Sequence, residues 1–527
     1  MKGIGGVTGL HMACHNGHID IVKELIQNKA DIDIRDDVDQ TPLTVACSEG
    51  QEKVVKILLQ NKADVNTPNK KGATALMGAC FKGNSTIVSD LLQHHAQIDA
   101  KDEDEQTALM AACFEGHENV VKILLDHNAN VNFTTKNGVT ALMATCRKGN
   151  ITIVKNLLQH HAHVDVKDKD DETALMAACS ESNENLVKIF LEHNADVNTK
   201  NNKGATALMV ACLKGNSMIA KDLLQHGALV DAKDEDHQTA LMLACHEGHE
   251  KAVKVLLDHN ANVNIATRKK VTALMFACTN GHSTIVNNLL QCNVQVDVKN
   301  LAGNTALMSA CEEGYVEIVK MLLDSNASVN IENRQGFTGL MLASQCGHTD
   351  VVRLLLDHKV DVNVRGNAGE TALFLAIVKE HYDVEKLLRE HGAEEGNYRR
   401  SDSKSESAAV DVMNMPGNSE AQNLDGATGG FSDEPNETQL KSAASIVSES
   451  FKSLSQLLQP FMRTMEENLS ISREMKNITI TSTKPVNVHL KMAKHFAAGD
   501  INIENQQRED VDSHESDAES TDNGAKQ

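Results

Sequence analysis

Cysteines and histidines are the residues of this sequence whose types and spacing could do chemistry, because thiolates and imidazoles bind metals and transfer protons. Ten of the twelve cysteines follow one another at steps of 33 residues: Cys14, Cys47, Cys80, Cys113, Cys146, Cys179, Cys212, Cys245, Cys278 and Cys311. A histidine column keeps the same register and includes one cysteine: His94, His127, His160, His193, His226, His259, Cys292, His358 and His391.

A metal ion needs all of its ligands within roughly 2.0–2.3 Å, and residues in successive repeats lie several times farther apart. The histidine column therefore predicts a cation at a helix end, where the helix dipole favours a protonated imidazole. The adjacent pairs His94-His95 and His160-His161 leave weak metal binding, or binding tuned by pH, as the alternative. We expect no dedicated metal site and no cofactor.

Threonine defines the elements that position these columns, because it recurs at the same 33-residue step without an insertion. The twelve positions are Thr8, Thr41, Thr74, Thr107, Thr140, Thr173, Thr206, Thr239, Thr272, Thr305, Thr338 and Thr371. We number units 1 to 12 from these threonines, and together they occupy residues 1–395. Each threonine is predicted to cap a first helix that ends at a glycine nine residues later, such as Gly83.

A second apolar stretch at helical spacing follows in each unit and closes at a residue able to adopt a left-handed conformation, such as Asn128, Asn194, Asn260 or Gly227. A polar segment such as residues 64–72 then forms a turn before the next threonine. Both helices are shorter than the ~12–15 residues at which an isolated helix becomes marginally stable in water. The units must therefore stack on one another as an extended all-α solenoid.

The 33-residue step, the Thr-x-Leu start, the helix-ending glycine, the Val-Val-x-x-Leu-Leu second helix and the Asp-Val-Asn turn together resemble the ankyrin repeat. The resemblance covers about three quarters of the chain. It implies helix-turn-helix units with projecting turns, first helices that line a binding groove, and protein recognition rather than catalysis. We expect no enzyme activity.

The sequence departs from the family pattern at the fourth residue of its Thr-Pro-Leu-His motif. His11 is the sole histidine there, and nine units carry methionine instead, from Met77 to Met341. In the family this histidine joins adjacent units through polar contacts, whereas methionine is flexible and apolar. The substitution predicts a compliant array, with faster or less uniform hydrogen exchange than a histidine-bearing array shows.

The cysteine column occupies the place of a small buried alanine in the family pattern. Adjacent stacked helices lie about 8–10 Å apart, whereas a disulfide needs Cα atoms within roughly 7 Å. The column cysteines are therefore predicted to be reduced core residues, which suits the cytoplasm or the nucleus. Cys292 and Cys346 lie off the column and are the two thiols to test for reactivity.

Charges alternate in sign from one unit to the next, so the duplicated block is 66 residues long. Acidic turns such as residues 102–105 alternate with basic turns such as residues 268–270. The residue before the helix-ending position alternates in the same way, at Glu49, Lys82, Glu115, Lys148, Glu181, Lys214 and Glu247. One interpretation is inherited duplication with mild surface compensation. The other is a banded groove that selects a partner of matching charge spacing.

A neighbouring column is predicted to supply the anchors of a protein interface, because exposed aromatic, leucine and arginine side chains often dominate binding. Its candidates are Phe81, Phe114, Arg147 and Leu213. They are expected to be exposed on the concave face, although one phenylalanine could fold back onto its neighbour.

The remaining residues resemble no family known to us. Residues 396–437 are predicted to be a disordered linker, residues 438–476 an amphipathic helix or coiled coil, residues 477–504 short strands, and residues 505–527 an acidic disordered tail. The apolar seam of the helical segment consists of Val447, Phe451, Leu454, Leu458, Phe461 and Met465. Because Pro460 interrupts it, two short helices are as consistent as one. The seam could self-associate, bind a partner helix or fold back on the array.

Composition limits the function further. The 527 residues carry a formal charge of −22, which disfavours a nucleic-acid partner because such binding depends on Lys and Arg. No stretch of about 18 apolar residues predicts membrane insertion. We expect an intracellular adaptor whose array binds a protein or peptide and whose C-terminal helix forms a homo-oligomer or binds a second protein. The alternative is a structural spacer whose groove holds no tight ligand.

Overall fold

The computed structural model describes residues 4–395, and throughout that range threonine begins the first helix of each unit. The Thr140 side chain accepts a hydrogen bond of 3.2 Å from the Met143 backbone N–H, and the other eleven threonines make the same bond. The first helices are Gly9–His15, Pro42–Glu49, Ala75–Lys82, Ala108–Glu115, Ala141–Cys146, Ala174–Ser180, Ala207–Leu213, Ala240–Glu247, Ala273–Thr279, Ala306–Glu313, Gly339–Cys346 and Ala372–Val378. A short 3-10 helix, Ile4–Gly6, precedes them.

The second helices of the units are Ile19–Gln27, Glu52–Gln60, Ser85–Gln93, Glu118–Asp126, Ile151–Gln159, Glu184–Glu192, Ser217–Gln225, Glu250–Asp258, Ser283–Leu290, Val316–Asp324, Thr349–Asp357 and Tyr382–Glu390. They close as the sequence predicts. Asn128, Asn194 and Asn260 have φ angles of 60°, 57° and 59°, and Gly227 has 86°. The left-handed residue lets its own N–H bond back into the last turn, which satisfies carbonyls that a helix end leaves open.

The core is built by like helices packing on like helices. First helices contact the first helices of adjacent units, and second helices contact second helices. The leucine, methionine and cysteine columns of the first helices are all buried, as at Leu142, Met143 and Cys146, with relative exposures of 1%, 4% and 0%. The predicted all-α solenoid of stacked units is confirmed for residues 4–395.

The turns between units form a continuous backbone ladder. Within one turn the Asp102 N–H donates to the Gln106 carbonyl at 3.1 Å, and the Glu103 N–H donates to Lys71 of the preceding turn at 2.8 Å. The same pair of bonds recurs along the array, and three turns also contain isolated antiparallel bridges. Each turn thus adds two hydrogen-bonded chain spacings of about 4.8 Å, so successive turns are about 9.6 Å apart.

The last unit replaces buried apolar positions with charged residues. Glu385 and Arg389 stand where earlier units have Val55 and Leu59, and the Arg389 Nε donates to the Glu385 carboxylate at 2.9 Å. No further unit stacks on it within residues 4–395, and a terminal solenoid unit needs such a polar outer face. None of the helices in residues 4–395 has the length and apolar character required to cross a membrane.

Several predictions fall outside the described residues. They concern the linker at 396–437, the helical segment at 438–476, the strands at 477–504 and the acidic tail at 505–527. The apolar seam belongs to this group, and all of them remain predictions.

Candidate interaction surface

Seven alternating charges mark the ends of the first helices in units 2 to 8. We call this set the helix-end row: Glu49, Lys82, Glu115, Lys148, Glu181, Lys214 and Glu247. Lys82, Lys148, Glu181, Lys214 and Glu247 are exposed, whereas Glu49 and Glu115 are half-buried. A side chain at the end of a first helix extends past the packed part of the helix, so its charge stays in contact with water.

Some members of the helix-end row already have a polar partner, which is a histidine or a lysine. The Glu49 carboxylate lies 3.2 Å from Nδ1 of His15, and the Glu115 carboxylate lies 3.7 Å from Nζ of Lys148. Glu247 lies 2.9 Å from Nδ1 of its neighbour His246. Lys82, Glu181 and Lys214 form no ion pair within 4.0 Å in residues 4–395. The row therefore contains charged side chains that contact a neighbouring residue and others that form no ion pair.

The prediction that the neighbouring column is exposed is wrong for two of its four members. Phe114 and Leu213 are only 8% and 5% exposed and belong to the core cluster, whereas Phe81 is half-buried and Arg147 is exposed. The next unit covers the Phe114 ring, because the Arg147 guanidinium lies 5.5 Å and the Lys148 ammonium 5.8 Å from the ring centroid. This arrangement places two cations over an aromatic face.

Histidines that the sequence did not single out join adjacent units at this surface. His117, at the start of a second helix, donates from Nε2 to the Phe81 carbonyl of the preceding unit at 3.0 Å. Four more histidines make the equivalent bond to residues 36 positions earlier: His249 to Leu213, His282 to His246, His348 to Glu312 and His381 to Gln345. For four of these five histidines the signal in the sequence is a histidine directly after the helix-ending glycine, as in Gly116-His117, whereas His381 follows Glu380.

The glycine one unit before each of these histidines has two reasons to be glycine. Gly83 adopts a φ of 79°, which side chains disfavour. In addition, a methyl group on Gly83 would lie 2.5 Å from Cε1 of His117, because the imidazole packs directly on the glycine backbone. The helix-ending glycine thus ends its own helix and leaves room for the imidazole of the next unit to pack on its backbone.

These histidines bear on the prediction that the array is compliant because most units have methionine in place of the family's histidine. His11 does join units 1 and 2, since its Nε2 donates to the Gln40 carbonyl at 2.9 Å. The methionine units lack that bond, but the histidines after the glycines supply directional bonds at another position. Directional bonds between units therefore persist in several methionine units, and the compliance of the array remains a prediction.

The turns add further bonds between units, and these also alternate. The Asn132 side chain donates to the His161 carbonyl at 3.1 Å and accepts from the His163 N–H at 2.8 Å. Asp99, at the equivalent position of the preceding turn, accepts from the Asn130 N–H at 3.0 Å and has no N–H to donate. The 66-residue block therefore alternates in hydrogen bonding as well as in charge.

The histidine column at the ends of the second helices serves as a cap. The His127 Nδ1 donates to the Ile123 carbonyl at 2.8 Å, and the Asn61 side chain makes the same bond to Ile57 in an earlier unit. Because asparagine substitutes for histidine here, the bond requires a donor rather than a charge. In residues 4–395, no three His, Cys, Asp or Glu side chains are grouped so that they could hold a metal ion.

Burial controls the chemistry of the thiols. The ten column cysteines are buried and unpaired by disulfides, and burial raises the pKa of Cys113 to about 12. Burial, with help from Glu312 and Glu313, also raises the pKa of Cys346 to about 11, so this thiol stays protonated near neutral pH. The expectation of two candidate reactive thiols therefore narrows to Cys292, whose side chain is exposed.

Two aspartates in the acidic turns have pKa values above the usual range of a carboxyl group. Burial raises the pKa of Asp102 and of Asp234 to about 6, although the backbone N–H groups of Gln106 and Gln238 each donate to these carboxylates and oppose the shift. Other turns place asparagine at this position, where the Asn201 and Asn300 side-chain oxygens accept equivalent backbone bonds. The turn therefore needs an acceptor oxygen rather than a charge.

Paired helices, left-handed stops and laddered turns define a solenoid of helix-turn-helix repeats with projecting turns. A family model described as "Ankyrin repeats (3 copies)" matches seven overlapping segments, at residues 2–69, 61–135, 128–201, 197–267, 228–300, 261–333 and 325–398. The chain belongs to the ankyrin repeat family. Ankyrin repeats are generally protein–protein interaction modules. A comparison with curated proteins finds no match.

Proposed function

We propose that this protein is an adaptor whose ankyrin array binds a segment of another protein along the helix-end row. The observation that carries the proposal is the presence of exposed charges without ionic partners, at Lys82, Glu181 and Lys214, on a surface that stacking leaves accessible. Exposed charges steer association and select partners of complementary charge. The half-buried Phe81 and the exposed Arg147 are the candidate anchors beside the row.

The C-terminal seam supplies the second function of the adaptor. Its apolar residues recur at alternating steps of three and four, which favours self-association or a partner helix. The acidic balance of the chain disfavours nucleic acid as the partner of either region. The reduced cysteine column is consistent with the cytoplasm or nucleus, and the adaptor needs no catalytic activity.

Proximity labelling in cells tests whether the row binds partners. The test variant is Lys82→Glu/Arg147→Glu/Lys214→Glu, in which all three changed residues are exposed. The matched control is Lys122→Glu/Lys155→Glu/Lys221→Glu, which makes the same charge change at exposed positions of the second helices. We expect the test variant to lose labelled partners that the control retains.

The structural spacer is the alternative from another class. A spacer would give the same labelled proteins in wild type, test variant and control, because its groove would hold nothing. That result would remove the adaptor proposal.

Light scattering on the full chain tests the seam. We expect the wild type to exceed the mass of a monomer and Leu454→Asp/Leu458→Asp to approach it, since charges in an apolar seam oppose association. Equal monomer masses for the two proteins would remove the oligomer from the proposal.

A further inference from the structure

The turns that project between units 1 and 9 carry charges whose sign alternates along the array. We number these eight turns tips 1 to 8 and call them the tip row: residues 36–39, 69–72, 102–105, 135–138, 168–171, 201–204, 234–237 and 267–270. Odd-numbered tips have formal net charges of −3, −4, −2 and −3, and even-numbered tips have +2, +1, +1 and +3. The tip row therefore contains equal numbers of acidic and basic members.

The second residue of every tip is exposed and is fixed to the part of the chain before it. Asp37, Glu103 and Arg268 are examples, and the equivalent residue of each other tip is exposed as well. Its backbone N–H donates to a carbonyl of the preceding turn, or of Gly5 in the case of tip 1, at 2.8–3.0 Å. One backbone ladder thus holds the charges in order, so a partner meets them without first ordering the tips.

An even number of alternating charges is complementary to its own reversed copy. In a two-fold dimer whose tip rows run antiparallel, the axis passes between tips 4 and 5. Tip 1 then faces tip 8 of the second copy, tip 2 faces tip 7, tip 3 faces tip 6, and tip 4 faces tip 5. Each odd tip meets an even tip, so every facing joins opposite charges. The matching does not depend on the distance between tips, because both rows are the same chain and have the same spacing.

Other arrangements match less well. Parallel rows in register place like charges together, and a parallel shift by one unit leaves an unmatched end to which further copies add. The helix-end row has seven alternating members, so its reversal places glutamate against glutamate and lysine against lysine. Self-complementarity is therefore a property of the tip row and its antiparallel register.

Uncharged segments fall where this register needs no charge. Residues 300–303, the turn after tip 8, contain no charged residue. In the antiparallel register they face residues 4–6 of the second copy, which take the place of a turn before tip 1 because the Gly5 carbonyl accepts from the Asp37 N–H at 2.8 Å. Residues 4–6 contain no charged residue either, so the matching continues past both ends of the tip row.

We propose that the tip row binds a second copy of this chain, with the two rows antiparallel and each acidic tip facing a basic tip. The tip row shares no residue with the helix-end row or the C-terminal seam, so this association goes beyond the adaptor function. Exposed charge pairs are individually weak and association costs translational freedom, so the expected dissociation constant is about 0.1–1 mM. The contact therefore forms where copies are locally concentrated.

Sedimentation equilibrium with the full chain tests the proposal. Every protein carries Leu454→Asp/Leu458→Asp, so that the seam contributes no association. At about 0.1 M salt the Debye length is about 10 Å, which screens distant charges of the −22 chain but preserves the attraction between facing tips. We expect a concentration-dependent dimer that dissociates at about 1 M salt, where the Debye length is about 3 Å. Association that persists at the higher salt would contradict an interface made of exposed charges.

An exchange of charges between tips 1 and 8 tests the register. Arg268→Asp/Lys270→Asp gives tip 8 the residues of tip 1 at the same turn positions, and Asp37→Arg/Asp39→Lys gives tip 1 those of tip 8. Each variant alone places like charges together at both ends of the dimer. Its dissociation constant should rise by about 25-fold, because an exposed pair contributes up to about fivefold and the facing occurs twice. An equimolar mixture should recover most of the association, since acidic tips of one variant then face basic tips of the other.

The matched control is Lys122→Glu/Lys221→Glu, which makes the same change of charge as Arg268→Asp/Lys270→Asp at exposed positions of the second helices. It should associate like the parent protein, and thermal unfolding verifies that all variants fold. A parent that stays monomeric, an equal loss in the control, or a mixture that associates no better than its components would overturn the proposal and assign the tip row to a different partner.

Discussion

Units 2 to 8 and units 9 to 12 share one core but differ at the surface. The threonine and leucine columns continue through both regions with the same burial, as at Leu142 and Leu307. The charge alternation does not continue, because the positions that follow Glu247 in the helix-end register are Asn280, Glu313, Cys346 and Lys379. Since the last four units stack without alternating charges, stacking does not require them. We call units 2 to 8 the banded region and units 9 to 12 the unbanded region. The alternating charges of the banded region are therefore not required by the fold.

The turns show the same difference between the two regions. Within units 2 to 8 this turn residue alternates, with Asp102 and Asp234 in some units and Asn201 in another. Units 10 and 11 both use asparagine, at Asn300 and Asn333, to accept the same backbone bonds. The turn geometry is common to both residues, and only the charge differs. A surface property can thus change along the array while the local geometry is maintained.

The largest expected effect comes from substitutions in the core, which we expect to be equally stable in the two regions. Leu142→Ala and Leu307→Ala remove side chains that are only 1% and 2% exposed. Each should lower the free energy of unfolding by about 2–5 kcal/mol, because a cavity remains in a close-packed core. Urea unfolding followed by circular dichroism measures both. Losses that differ strongly between the two variants would contradict the equivalence.

The next effect separates backbone strain from the packing of histidine on glycine. Gly227→Ala should cost about 1–2 kcal/mol, because only the left-handed backbone opposes it and no atom lies within 4 Å of the added methyl. Gly83→Ala should cost about 1–3 kcal/mol more, since the methyl also meets the His117 ring. Denaturant unfolding measures the difference.

The control for this prediction comes from the array itself. Gly50 faces Asn84 at 3.7 Å rather than a histidine. Adding His117→Asn should therefore recover part of the loss in Gly83→Ala, which a double-mutant cycle detects as coupling. Gly314→Ala, which meets His348 in the unbanded region, should resemble Gly83→Ala. Purely additive losses would show that the ring contact contributes nothing.

A smaller effect concerns pH and is confined to the banded region. The pKa of Asp102 and Asp234 is raised from 3.8 to about 6 in the fold, so the folded state binds more protons than the unfolded state between these values. Stability should therefore fall as pH rises from about 4 to 6. Asp102→Asn/Asp234→Asn should remove this slope and gain about 1 kcal/mol per residue at pH 7, after allowance for solvent screening.

Unfolding at a series of pH values measures this effect. As a control, Asn300→Asp should introduce the same decrease in stability into the unbanded region. An unchanged slope in the Asp102 and Asp234 variant would assign the pH dependence to other groups.

The smallest expected effect is the contribution of the alternating charges to the free energy of unfolding. Glu115→Gln/Lys148→Gln removes the 3.7 Å ion pair and should change the free energy of unfolding by about 1 kcal/mol or less. Thermal unfolding at low and high salt measures it. A loss well above this value would make the charge alternation a structural requirement and would break the distinction between the two regions.

The fold was predictable because its signals act over short distances. Thr140 caps a helix whose first turn lies directly beside it, and Asn128 stops a helix by its own backbone conformation. The candidate site was less predictable. Phe114 and Leu213 were expected to be exposed from their position in the repeat, but both are buried. The Gly116-His117 pair marks the histidine in the sequence, but its bond to Phe81 links residues 36 positions apart, so the local pattern does not identify the partner.

The sequence by itself determined the number of units, their boundaries and the alternation of charge, because helix caps, apolar spacing and a fixed 33-residue step are properties of neighbouring residues. Only the tertiary structure decided which charges are compensated and which side chains remain exposed. Those outcomes depend on how far a side chain of one unit extends over the preceding unit, as Lys148 does toward Glu115 and Phe114. Stacking brings such residues together, and the distances between them appear only once the array is assembled.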